Sequence, residues 1–255
     1  MQSTQKKQKL LGILGGLGPM AGVYFCEMLI SHTNAERDCD HINFLLSSRA
    51  DTPDRSSFIV GLSDSDPTPA MTEEARRLEA AGADLIAIPC NTAHYFYDRI
   101  CEAVDTPILN IITETARFCH ASGVKRIGVL ATEGTARSGA YEKFLDEYNV
   151  EILPLCEAEQ NTVSDIIFNQ IKRGLEPDVF ALMYVVESLR ARGAELIVLG
   201  CTELSLAKKQ TRLPEYVIDS LELLALSAIS ACGKTPIGFD PALMKFYGSA
   251  GKDVH

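Results

Sequence analysis

The sequence predicts an α/β protein: two pseudo-symmetric, doubly wound domains with mainly parallel sheets and a cleft between them. Three observations carry this. Short apolar runs alternate with stretches of helical spacing, the signature of βαβ units. One stretch occurs twice: Gly82-Ala83-Asp84-Leu85-Ile86-Ala87-Ile88-Pro89-Cys90 is matched by Gly193-Ala194-Glu195-Leu196-Ile197-Val198-Leu199-Gly200-Cys201, each with a cysteine eight residues after a helix-ending glycine. The chain has 255 residues, 46% hydrophobic and 23% charged, which suits a sizeable core divided between two domains.

In chain order, Leu10–Leu14 is a buried strand, and Pro19–Ile30 follows as a helix with Pro19 just inside its start. Asn43–Ser47 is the next strand, and Ser63–Pro69, polar with two prolines, is a loop. Met71, Ala75, Leu78 and Ala81 keep helical spacing up to Gly82. Leu85–Ile88, Ile108–Ile111, Ile127–Leu130, Ile152–Leu155, Leu196–Leu199 and Val217–Ile218 are further strands, with helices such as Val163–Lys172 and Phe180–Arg190 between them. Gly12-Ile13-Leu14 is matched by Gly128-Val129-Leu130, and Pro107–Asn110 loosely by Pro214–Asp219, so the repeat is about 110 residues long. The expected first domain is 1–107, rejoined by 216–255; the second is 108–215.

Composition excludes several classes. The net charge is −10, from 24 basic and 34 acidic side chains, and no basic block exceeds Lys6-Lys7-Gln8-Lys9, which argues against nucleic-acid binding. The 8 cysteines form no CxxC pair and no zinc spacing, so neither a disulfide scaffold nor a metal site is expected. No run approaches the ~20 apolar residues of a membrane helix, and the N-terminus does not resemble a signal peptide. A soluble, reduced, cytoplasmic protein is expected.

Each repeated cysteine follows a buried parallel strand, at the sheet edge where α/β folds bind ligands. Asn91-Thr92 follows Cys90, and Thr202-Glu203 follows Cys201. These turns open helices, whose N–H groups receive carboxylates and lower a thiol pKa. A lone cysteine in an apolar strand is ordinarily a small buried hydrophobe. Two in matched turns across an interdomain active-site cleft instead suit stereoinversion, one thiolate removing an α-proton and the opposite thiol returning one. Cys26, Cys39, Cys101, Cys119, Cys156 and Cys232 are expected to be packing or surface residues, with at most one exception. The Gly12, Gly15, Gly16, Gly18 cluster lacks G-x-G-x-x-G spacing and is followed by Pro19, so it suits close backbone approach rather than a dinucleotide.

Gly12-Ile13-Leu14-Gly15-Gly16-Leu17-Gly18-Pro19, Pro53-Asp54-Arg55, Pro89-Cys90-Asn91-Thr92-Ala93-His94 and Gly200-Cys201-Thr202-Glu203 together resemble the aspartate racemase branch of the aspartate/glutamate racemase superfamily, over about residues 9–225. Glu203 stands where glutamate racemases usually carry histidine. The resemblance implies a racemase that needs no cofactor, working with Cys90 and Cys201 in a cleft of a homodimer. It implies substrate-binding roles for Asn91, Thr92 and Thr202, with Arg55 and Lys172 as cations for a substrate carboxylate and Glu203 beside the second thiol. The implied substrate is a small acidic amino acid, aspartate first and glutamate second. The alternatives are another superfamily reaction on a small dicarboxylate, a broader amino-acid racemase, or a non-catalytic dicarboxylate-binding protein. Arg49 is a second candidate cation, because the segment before Pro53 departs from the family's asparagine-rich version. His94, one helical turn after Cys90, either tunes that thiol or packs. The extension Gly233–His255 exceeds the usual family length and has no assigned role.

Overall fold

The computed structural model describes residues 8–250; Lys6, Lys7 and the last five residues of the extension lie outside the described residues. Two four-stranded sheets form, each wholly parallel. The first contains β1 (Leu10–Gly15), β2 (Asn43–Ser48), β3 (Leu85–Ala87) and β4 (Ile108–Leu109) in the order β2-β1-β3-β4. The second contains β5 (Arg126–Leu130), β6 (Glu151–Leu153), β7 (Leu196–Leu199) and β8 (Val217–Asp219) in the order β6-β5-β7-β8. The two orders are the same, so β3 and β7, the strands that lead to the cysteines, hold equivalent inner places.

The period-2 alternation of the strands builds three apolar layers. Leu11, Ile13, Leu85 and Ala87 face a central layer that also takes Val198 and Ile218 from the second sheet. Leu14, Ile86 and Ile88 face an outer layer with Met71, Ala75 and Leu78. Ile197 and Leu199 face the other outer layer, with Val185 and Leu189. The helices Pro19–Ser31, Ile111–Ala121 and Ser220–Ala231 fill the central layer and join the two halves into one core.

Several element ends differ from the sequence expectation for local reasons. Strand β4 stops at Leu109 because Asn110 caps the next helix, its Oδ1 accepting from Ile112 N at 3.0 Å and Thr113 N at 3.1 Å. Strand β4 pairs with β3, and β8 pairs with β7, so the sheets divide just after the expected boundaries at 107 and 215. The prolines of 63–69 do not all lie in a loop: a helix spans Thr68–Ala80 with Pro69 in its first turn, a position that needs no donor. The helix expected at Val163–Lys172 starts earlier, at Glu157, passes through a π turn at Ile166–Gln170 and a 3-10 turn at Ile171–Arg173, and ends at Gly174 with φ 74°. The extension carries a helix from Pro241, with Phe239 and Leu243 buried and Phe246 edge-on to Phe118. Among the described residues no helix is long and apolar enough to cross a membrane.

Candidate active site

The turn after β3 and the turn after β7 meet. Thr202 Oγ1, one residue after Cys201, donates to Pro89 O, one residue before Cys90, at 3.2 Å. Both cysteines are free and buried, and both line one inner cavity of about 10 Å3 with Leu17, Asp54, Arg55, Ser56, Asn91, Thr92, Thr132, Lys172, Thr202 and Glu203. The structure therefore brings together the two cysteines and the six residues expected to bind substrate, Arg55, Asn91, Thr92, Lys172, Thr202 and Glu203, but not Arg49 or His94. The cavity shares Asp54, Arg55, Lys172 and Glu203 with an outer chamber of about 650 Å3, lined also by Met20, Ile171 and Leu206. These four charged groups stand between the chamber and the thiols.

The Cys90 turn is fixed from three sides. Tyr141 OH donates to Asn91 Oδ1 at 2.7 Å, and Asn91 Nδ2 donates to Ser220 Oγ at 3.0 Å. Thr92 Oγ1 joins a hydroxyl cluster with Thr132 Oγ1 (3.1 Å) and Thr135 Oγ1 (2.8 Å), and Ser56 Oγ donates to Thr132 at 3.0 Å. His94 Nε2 accepts from Ile111 N at 3.2 Å, so Nδ1 carries the proton and donates to Cys90 O at 2.9 Å. Burial pushes His94 down to about 4. It is a neutral brace between the turn and the helix that starts at Ile111, not a cation beside the thiol.

The Cys201 side carries charge. Its Sγ donates to Glu203 Oε2 at 3.0 Å, and Glu203 Oε1 lies 3.4 Å from Lys172 Nζ. Burial first, and then the Glu203 charge, hold the Cys201 thiol well above its ordinary value. This corrects the expectation that the helix start lowers that pKa: the helix after Cys201, Leu204–Gln210, is only seven residues long, and a carboxylate touches the sulfur. Burial pulls Lys172 down, but the neighbouring Glu203 carboxylate foremost, with the two cysteine sulfurs behind it, more than offsets this, and its pKa rises. Gly18 makes room for this arrangement, since a Cβ there would lie 2.3 Å from Glu203 Oε1.

Arg55 is 6% exposed. Its guanidinium donates to Thr52 O (3.4 Å), Pro53 O (3.1 Å) and Leu17 O, while its buried Nε has no hydrogen-bond partner among the described residues. Asp54 caps the helix Arg55–Ile59, Oδ1 accepting from Ser57 N at 2.7 Å. Burial opposes its ionisation, but the bonds from Ser57 and the Arg55 and Lys172 charges hold it below the usual range. Arg49 is not a cation of this cavity: it pairs with Asp51, Glu73 and Glu74. None of the six other cysteines lines the cavity. Sequence reasoning missed Ser56, Thr132, Thr135 and Tyr141. The repeat held a signal for the two threonines, because Thr132 and Thr135 follow Gly128-Val129-Leu130 just as the glycine loop follows Gly12-Ile13-Leu14. Among the described residues no group of three or more His, Cys, Asp or Glu could hold a metal ion.

Comparison with known proteins gives a consistent result. The family described as Asp/Glu/Hydantoin racemase matches residues 14–228. The broad specificity amino-acid racemase RacX of Bacillus subtilis (strain 168) is 30% identical over 230 residues, 87% of this chain and 97% of that protein. The structure of Picrophilus torridus aspartate racemase superposes with a TM-score of 0.77 at 32% identity, covering 94% of this chain and 99% of that one. An aspartate racemase homologue from Pyrococcus horikoshii OT3 gives 0.71 at 26% identity, covering 89% and 100%.

Proposed function

The chain belongs to the Asp/Glu/Hydantoin racemase family and is an amino-acid racemase, and from that premise we propose that it interconverts L- and D-aspartate by two-base chemistry at Cys90 and Cys201. The observation that carries this is the lining of one cavity by two buried thiols that come from equivalent strands of the two sheets.

In the proposed reaction, one thiolate takes the α-hydrogen as a proton and leaves its electron pair on Cα. The opposite thiol gives its proton to the other face of Cα and becomes the thiolate. The roles exchange for the reverse substrate, so atoms balance without a co-reactant. Glu203 Oε2 accepts the hydrogen bond of the Cys201 thiol, which holds the proton on that sulfur and aims the thiol. Helix-opening N–H groups and hydroxyls at Asn91, Thr92 and Thr202 receive the α-carboxylate and amine. Arg55, with Nε unpaired, and Lys172 receive the side-chain carboxylate. On this reading neither pyridoxal phosphate nor a metal takes part, and the enzyme works as a homodimer in the cytoplasm.

A second reading, racemisation of a broader set of amino acids, is favoured by the outer chamber of about 650 Å3, which offers space for side chains longer than that of aspartate. An amino-acid panel in heavy water, read by chiral chromatography, separates the two. The main test is substitution of each thiol. Cys90→Ala and Cys201→Ala should each abolish racemisation, with wild-type activity unaffected by EDTA. Full activity in either alanine variant would sink the two-thiol mechanism.

A further inference from the structure

A buried carboxylate lies outside the cavity and is not used by the mechanism. Glu74, in the helix Thr68–Ala80, is 2% exposed. Donors from three elements converge on it. Ser47 Oγ, at the end of β2, donates to Oε2; Arg49 NH1 (3.4 Å) and Arg77 NH1 (2.9 Å) reach Oε1. Packing this helix on the sheet does not require a charge there, since apolar residues of similar volume often serve as well or better than a buried ion pair. Arg77, on the same helix, has a second partner in Glu73 at 2.6 Å. Beside the Arg49–Glu73 pair at 2.7 Å, what Glu74 adds is a buried junction that also takes in the end of β2 through Ser47.

That loop leads to the cavity. The Arg49 backbone lies against Gly16, whose φ is +83° and where a Cβ would come within 2.4 Å of Arg49 C. Thr52 Oγ1 donates to Arg49 O at 2.9 Å. Arg55, which lines the cavity, is then aimed by the carbonyls of Thr52, Pro53 and Leu17, and its buried Nε is left without a partner among the described residues. The orientation of Arg55 is thus inherited from the seat of Arg49, and Glu74 is the buried end of that seat.

We infer that Glu74 is a positioning residue for substrate side-chain recognition, acting through Arg49 and the 49–55 loop on Arg55. The inference rests on the reading of Arg55 as the cation for the side-chain carboxylate. A group that only places a binding cation affects ground state and transition state alike, so its loss falls on KM rather than kcat. Coupling carried through such a contact network corresponds to about 2–30-fold in affinity.

The test is steady-state kinetics with aspartate on Glu74→Gln, Glu74→Asp, Arg55→Ala and the double variant Glu74→Gln/Arg55→Ala. The expected result is a KM raised about 2–30-fold in Glu74→Gln with kcat unchanged, partial recovery in Glu74→Asp, and a double variant no worse than Arg55→Ala alone. Should Glu74→Gln fail to fold, Arg49→Met cuts the same link together with the Arg49 pairs to Asp51 and Glu73, at a side chain that is 28% exposed, and a KM shift at least as large is expected with kcat unchanged. An unchanged KM in Glu74→Gln, a loss confined to kcat, or losses that multiply in the double variant would each overturn the inference while leaving Arg55 in its role. An unchanged KM in Arg55→Ala would overturn the reading of Arg55 itself.

Discussion

Arg55→Ala separates a substrate contact from a structural one. Arg55 is almost wholly buried and lines the cavity; its guanidinium holds three backbone carbonyls, and its buried Nε has no partner among the described residues. The side-chain carboxylate of aspartate is desolvated on entering that wall, and losing a charge-assisted contact to it costs about 1.5–3 kcal/mol. At about 1.4 kcal/mol per tenfold, aspartate kcat/KM should fall roughly 10–150-fold. The carbonyls of Leu17, Thr52 and Pro53 lose donors too, which should cost about 1–3 kcal/mol of folding stability. The assay pairs aspartate racemisation by chiral chromatography with urea unfolding and with α-hydrogen exchange into alanine, which lacks a side-chain carboxylate. Alanine exchange should change less than aspartate turnover. An equal loss for both would mean that Arg55 holds the α-carboxylate or only supports the loop, and an unchanged aspartate rate would remove it from the site.

Two further outcomes follow from the electrostatics. Glu203→Gln removes a charge that adds to burial in raising the Cys201 thiol, so iodoacetamide should label Cys201 faster at neutral pH, as read by peptide mapping; slower labelling would contradict the assigned cause. His94 is depressed to about 4 by burial, so the stability it contributes is full above its unfolded value of about 6.5 and is lost as pH falls toward 4. Asp219, pushed up to about 7 first by burial and then by Glu222, has the opposite sign over the same window, so the reading must be a difference between variants. From pH 7 to pH 5, wild type should lose about 2 kcal/mol more than His94→Asn in urea unfolding, and parallel profiles would refute the buried neutral imidazole.

The parts of the fold that were legible in the sequence are those encoded locally. Each βα unit carries its own apolar run and glycine stop, and the duplicated Gly82–Cys90 and Gly193–Cys201 segments mark matched strands. The residues that were hidden act across distance in the chain. Tyr141 reaches Asn91 over 50 positions, and Ser56 meets Thr132 over 76; nothing in the neighbourhood of either residue marks that contact. Glu74 reads locally as one more acid on an exposed helix face, and only the packing of that helix against β2 buries it. The thiol pKa at Cys201 failed for a related reason: helix-start reasoning is local, whereas the burial and the Glu203 carboxylate that dominate it depend on the tertiary arrangement.

Two-base inversion by Cys90 and Cys201 is tested most directly by initial-rate racemisation of each aspartate enantiomer in heavy water, with deuterium at Cα measured separately in the product and in the recovered substrate. Two thiols on opposite faces predict that the inverted product carries solvent deuterium from the first turnovers while unreacted substrate stays protiated, in both directions. Deuterium appearing equally in substrate and product, or product that keeps its original α-hydrogen, would mean that a single group serves both faces.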